Sequence, residues 1–173
     1  MSYADNCTKL SNAVKDRNID GVNAALEAGA DVNGHPGQAC APIVTATIAS
    51  DANLLEFLLE QGADPDRPVI EEVTCECSAT AAIPGDRALH IAARNGNVEI
   101  VRLLLKRGRA DINATDNAGR TPLMEACRNS HACVEVLLEA GADPTSADER
   151  GYVAFHVVAL EGHVDLVDTL YAR

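Results

Sequence analysis

Apolar residues along the chain fall into short segments with helical spacing, each about two turns long. They run Val22-Asn23-Ala24-Ala25-Leu26, Leu54-Leu55-Glu56-Phe57-Leu58-Leu59, Val98 to Leu105, and Val134-Glu135-Val136-Leu137-Leu138. Apolar positions three and four apart make one face of a helix, so each segment predicts an amphipathic helix buried on one side. Each is followed by the same stop: Gly29-Ala30-Asp31, Gly62-Ala63-Asp64, Gly108-Arg109-Ala110-Asp111 with one residue inserted, and Gly141-Ala142-Asp143. Glycine suits the left-handed geometry that ends a helix. The interval is 33 residues from Gly29 to Gly62, 46 from Gly62 to Gly108, and 33 from Gly108 to Gly141. Two intervals share one period, and the third is that period plus 13.

A second landmark precedes each segment. Arg87-Ala88-Leu89-His90-Ile91-Ala92-Ala93, Thr121-Pro122-Leu123-Met124-Glu125-Ala126-Cys127 and Val153-Ala154-Phe155-His156-Val157-Val158-Ala159 align with one another. Ala41-Pro42-Ile43-Val44-Thr45-Ala46-Thr47 is a weaker copy, and Leu10-Ser11-Asn12-Ala13-Val14 weaker still. Each predicts a first helix with small residues where a neighbour approaches closely. Asn95-Gly96-Asn97, Ser130-His131 and Gly162-His163 then break the chain before the second helix, with Asn or Ser placed to cap it.

These residues resemble the ankyrin repeat: Gly-x-Thr-Pro-Leu-His-x-Ala-Ala, a Gly-His break, then Leu-Leu-x-x-Gly-Ala-Asp. The resemblance covers essentially the whole chain. It implies an all-α solenoid of helix–turn–helix units joined by β-hairpin fingers in an L-shaped stack. Five units are expected in one domain over 1–173, at about 5–33, 38–66, 84–113, 118–145 and 150–173. No unit buries its apolar face alone, and the end units are atypical because each has an open side. Lys9, Asn12, Lys15, Asp16 and Asn18 give the first unit the polar helix such a cap needs. The last is more apolar, with Val164, Leu166, Val167 and Leu170, which leaves open a trimmed array or a helix that caps by ending.

Two departures stand out. Only Thr121-Pro122 keeps the Thr-Pro pair, so helix starts at Ala41, Arg87 and Val153 lack a capping hydroxyl. His90 and His156 hold the motif position, where the resemblance implies a structural hydrogen bond. The larger departure is an insertion at about 67–84, where the family has a finger. Val69-Ile70 and Val73-Thr74 have β character and Glu71-Glu72 lie near the expected bend, so a lengthened, acid-tipped hairpin competes with a tolerated surface loop.

Composition narrows the chemistry. Aromatics make up 3% with no Trp, so Leu, Val, Ile and Ala build the core. Net charge is −12, from 14 Lys and Arg against 26 Asp and Glu. That charge disfavours nucleic acid and anionic lipid and favours basic protein partners. No apolar run approaches the length of a membrane span, and the first residues have no signal-peptide pattern. Six cysteines without an export signal are expected to be free thiols in the cytoplasm or nucleus.

Cys75-Glu76-Cys77, with His35 and Cys40 on neighbouring fingers, is a conceivable zinc set with the wrong spacing. A small enzyme or metal module on the 67–84 insertion is therefore the alternative function. Neighbouring acids raise thiol pKa and oppose a reactive thiolate. Cys127 and Cys133 are expected as small buried hydrophobes. No G-x-S-x-G, H-E-x-x-H or phosphate loop occurs, and no catalytic residue, metal or cofactor is assigned.

The expected activity is binding a protein partner, as a monomeric scaffold or adaptor. The resemblance places contacts on the first helices and fingers. Before the Thr-Pro position stand Cys40, Asp86, Arg120 and Tyr152; late in the first helices stand Lys15, Ile48, Arg94, Arg128 and Leu160. Tyr and Arg are common interface anchors. The expected partner site is Arg94, Arg120, Arg128 and Tyr152 with Asp86, engaging an acidic or mixed segment, while Glu71, Glu72 and Glu76 of the insertion take basic residues.

Overall fold

The computed structural model describes residues 3–35, 41–70 and 82–171. Ten helices form among them: α1 (Tyr3–Lys15), α2 (Ile19–Glu27), α3 (Pro42–Ile48), α4 (Ala52–Glu60), α5 (Ala88–Arg94), α6 (Val98–Leu103), α7 (Pro122–Asn129), α8 (His131–Glu139), α9 (Ala154–Glu161) and α10 (Asp165–Tyr171). Each odd-numbered helix packs against the next in sequence, giving five pairs. First helices stack in one row, α1 on α3, α3 on α5, α5 on α7 and α7 on α9. Second helices α4, α6, α8 and α10 stack in another. The core lies between the rows and runs the length of the stack, with Leu10, Ile43, Leu54, Leu89, Ile100, Leu123 and Leu137 all fully buried. The fold is a helical solenoid.

Most second helices start as the pattern predicts. Asn18, Asp51, Asn97 and Ser130 each accept a hydrogen bond from the backbone N–H three residues on, which satisfies one orphan donor of the helix start. Among the described starts of first helices only Thr121 caps this way, its Oγ1 accepting from Met124 N–H at 3.3 Å. Ala41, Arg87 and Val153 contribute no side-chain cap. At two of those starts the motif histidine ties down the entry instead: His90 Nδ1 accepts from Arg87 N–H and His156 Nδ1 from Val153 N–H.

The residue inserted after Gly108 is absorbed locally. The last turn of the second helix widens into a π-turn, Leu104–Gly108, and Arg109 then adopts φ 53°. That is the left-handed stop that Gly29, Gly62 and Gly141 occupy elsewhere. Gly108 itself is held beside Leu59, whose side chain would lie 3.1 Å from an added Cβ.

The fingers are tighter than the resemblance implies. Among the described residues they are turns rather than two-stranded hairpins. Asp116 N–H donates to the Arg120 carbonyl and Asp148 N–H to the Tyr152 carbonyl, each closing one turn. The two ends of the insertion are pinned together, Val69 N–H donating to the Asp86 carbonyl and Gly85 N–H to that of Val69. Residues 71–81, and with them the expected acidic bend, lie outside the described residues.

A polar ladder runs across the units. Asn33 Oδ1 accepts from Asp64 N–H, the Asp66 carboxylate from Asp111 N–H, and Asn113 Oδ1 from Asp143 N–H. In the same pattern Asp31, Asp64, Asp111 and Asp143 each accept from the N–H two residues on. The aspartate of Gly-Ala-Asp thus shapes its own turn, and the residue two positions later joins it to the next unit.

Candidate functional site: a groove between α7, α9 and their fingers

A groove of about 440 Å³ opens between α7 and α9 on one side and the turns ahead of them on the other. Arg120, Met124, Arg128, Tyr152, Val157 and Leu160 line it, with Asp148, Glu149, Arg150 and Glu161 at its edges. Three residues expected to contact a partner, Arg120, Arg128 and Tyr152, are brought together here. Arg94 and Asp86 do not line it.

Arg94 and Asp86 instead form the start of a charge chain built behind the groove. The Arg94 guanidinium pairs in fork geometry with Asp86, at 2.9 and 2.8 Å, and Nε donates to Glu125 at 2.8 Å. Glu125 then meets Arg120 across 3.1 Å, and Arg120 pairs with Asp116 at 2.7 Å. Asp86 and Glu125 are fully buried, Asp116 nearly so, and the Arg94 side chain is 14% exposed. Burial works against the Arg94 charge, but hydrogen bonds to Asp86 and the nearness of Glu125 outweigh it and hold its pKa above the ordinary value. Bidentate, carboxylate-flanked arginine is the arrangement in which a buried cation is tolerated.

The expected basic strip is thus mostly neutralised from within. Arg94 and Asp86 anchor the unit that precedes the groove rather than face outward. Glu125 and Asp116 were not singled out in the sequence. A charged residue aligned with Ile91 and Val157, between the apolar Met124 and Ala126, is the signal that points to Glu125. Asp116 has a weaker one, four residues ahead of Arg120.

Arg128 and Tyr152 do face solvent. Arg128 reaches Glu161 at 3.5 Å with both side chains about 40% exposed. Tyr152 is 40% exposed, its ring edge-on to His156 at 5.5 Å. Leu160, which also lines the groove, is 72% exposed, at a position where Ile48 is buried and Arg94 and Arg128 stand. The exposed Tyr152 and Leu160 line the groove together with the buried Met124 and Val157, and charged side chains make up most of the rest.

The motif histidine and the buried thiols are occupied structurally. His90 is fully buried; Nδ1 accepts from Arg87 N–H and Nε2 lies 3.0 Å from the Arg120 carbonyl, as a donor in that tautomer. Burial pushes its pKa below the usual 6.5. Burial also pushes the Cys127 thiol up to about 12 and that of Cys133 upward, so neither supplies a thiolate. Cys7, Cys127 and Cys133 are free and buried. Among the described residues, no group of three or more His, Cys, Asp or Glu is placed to hold a metal ion, and no helix is long and apolar enough to cross a membrane. Cys40, Cys75 and Cys77, and the expected contacts Glu71, Glu72 and Glu76, lie outside the described residues.

Comparison with known proteins gives the same pattern. The family model for ankyrin repeats, in three copies, matches residues 68–148. The ankyrin repeat protein nuc-2 of Neurospora crassa is 29% identical over 96% of the chain and 14% of its own length. The ankyrin repeat protein YahD of Escherichia coli is 29% identical over 87% of the chain and 72% of its own. The E3 ubiquitin-protein ligase KEG of Arabidopsis thaliana is 39% identical over 61% of the chain and 6% of its own. The chain therefore spans a small part of the fungal and plant relatives and most of the bacterial one.

Proposed function

We propose, from the premise that this chain belongs to the ankyrin-repeat family, that it is a protein-binding scaffold or adaptor whose partner lies in the α7–α9 groove. Ankyrin repeats are in general protein–protein interaction modules, so a protein partner follows from the family. The groove as its place rests on one observation: the exposed Tyr152 and Leu160 both line it, among charged side chains. Exposed aromatic and aliphatic anchors within a polar surround are the usual make-up of a binding hot spot. The five helix pairs are read as five repeats of a single domain, the pairs outside 68–148 being divergent copies. Arg120, Arg128 and Tyr152 carry the contact; Glu71, Glu72 and Glu76 extend it on grounds of charge. Three buried free thiols fit a reducing compartment, cytoplasm or nucleus.

Affinity capture from the source cell with wild-type chain and a Tyr152→Ala, Leu160→Glu double variant tests this. Both positions are exposed, so circular dichroism and Tm are expected to stay near wild type. Partners recovered by the wild type are expected to drop at least tenfold in the variant. Equal recovery by the two proteins would place the binding surface elsewhere.

A further inference from the structure

The groove's charge selects the kind of partner, and here the balance is opposite to that of an arginine strip read alone. Along the lining and edges, Arg120, Arg128 and Arg150 are matched by Asp148, Glu149 and Glu161. Directly behind lie Asp116 and Glu125, while Arg94 is spent on Asp86. Three cations and three anions in front with two further carboxylates behind leave an excess of two negative charges. Glu125 Oε1 meets Arg120 at 3.1 Å without receiving an aligned hydrogen bond, so part of that excess is left poorly compensated. The whole chain, at −12, adds to the same sign. Asp148 stands in the same turn as Tyr152, its N–H donating to the Tyr152 carbonyl and its Oδ1 accepting from Tyr152 N–H, and Glu149 follows it in sequence. A tyrosine that shares its turn with two carboxylates attracts a guanidinium or ammonium through both ring quadrupole and ion pairing.

The geometry points to a basic, aliphatic-anchored segment of a protein partner as the groove's occupant. Its arginine or lysine lies on Tyr152 between Asp148 and Glu149, and its leucine-like residue lies on Leu160 and Met124. This rests on the groove reading above and adds the partner's chemistry to it. It also agrees with the acidic run of the insertion, Glu71, Glu72 and Glu76, which lies on the same chain.

Two synthetic peptides separate the possibilities: Gly-Ala-Arg-Ala-Leu-Ala-Arg-Ala-Gly, and the same peptide with both arginines replaced by glutamates. Each is titrated into the ¹⁵N-labelled 173-residue chain, and amide shifts are followed by NMR at low and at physiological salt. The basic peptide is expected to move amides around 118–128 and 148–160. Its affinity is expected to fall at least fivefold in Tyr152→Ala and in Glu149→Lys, and to weaken with salt. If the acidic peptide moves those amides instead, the groove binds but the basic-partner inference is overturned. If neither moves them, both the inference and the groove reading fall.

Discussion

At the scale of single residues, Arg94 shows how far a contact list and a physical role diverge. Its place late in a first helix suggests an outward-facing anchor, yet three carboxylate contacts hold it behind the groove. Sequence spacing reaches the position but not the depth, because depth depends on Glu125 of the next repeat, 31 residues away. Arg94→Ala would leave Asp86 buried without its cation, at a cost of about 3–5 kcal/mol, measurable by urea denaturation. Binding loss in that variant would therefore report unfolding, which is why Tyr152 and Leu160 are the sharper probes. His90 offers a second test. Its folded pKa lies below the usual 6.5, so the unfolded chain takes up the proton first. The stability it contributes is complete above about pH 6.5 and is lost as pH falls below that value. A His90→Gln variant, compared with wild type by denaturation at pH 7.5 and 5.5, is expected to show a shallower loss on acidification.

At the scale of elements, the landmarks were legible because each has a local cause. Glycine stops, Asn and Ser caps and 3.6-residue apolar spacing act within a few residues, and the observed helices follow them closely. What was not legible is how irregular pieces close. The extra residue after Gly108 was visible, but the π-turn that absorbs it depends on packing against Leu59. Among the described residues, the fingers at Asp116 and Asp148, expected as hairpins, are turns, each closed by one backbone hydrogen bond and an aspartate side chain. Two stability changes follow. Arg109→Gly relieves a left-handed conformation that costs an L-residue about 1 kcal/mol, and Tm is expected to rise. Thr121→Ala removes the hydroxyl cap at the start of α7 and is expected to cost about 1 kcal/mol in chemical denaturation.

At the scale of the molecule, the stack explains what its last pair exposes. Phe155 is 42% exposed where its counterparts Ile43, Leu89 and Leu123 are buried to within 1%. Tyr171, Val164 and Leu160 are exposed on the same pair. In a solenoid each unit is stabilised by its neighbours, so a pair that leaves apolar side chains exposed which its counterparts bury opens more easily. Native-state hydrogen exchange is expected to find the amides of α9 and α10 least protected and those of α5 to α8 most protected. The groove uses one member of this less stable pair, so an occupant bridging α7 and α9 would also order the end of the stack. The partner's side chains were beyond the sequence for a related reason: the repeating residues specify the stack, and only the few non-repeating ones can specify what it binds.

The central claim, that a protein partner sits in the α7–α9 groove, is tested most directly by site-specific photo-crosslinking. A photoreactive phenylalanine analogue is placed in turn at Tyr152, at Leu160 and at Glu135, which is exposed on α8 and does not line the groove. Crosslinked partner from the Tyr152 and Leu160 proteins, with none from the Glu135 protein, is the predicted result. Crosslinking confined to Glu135, with the groove positions silent, would contradict it.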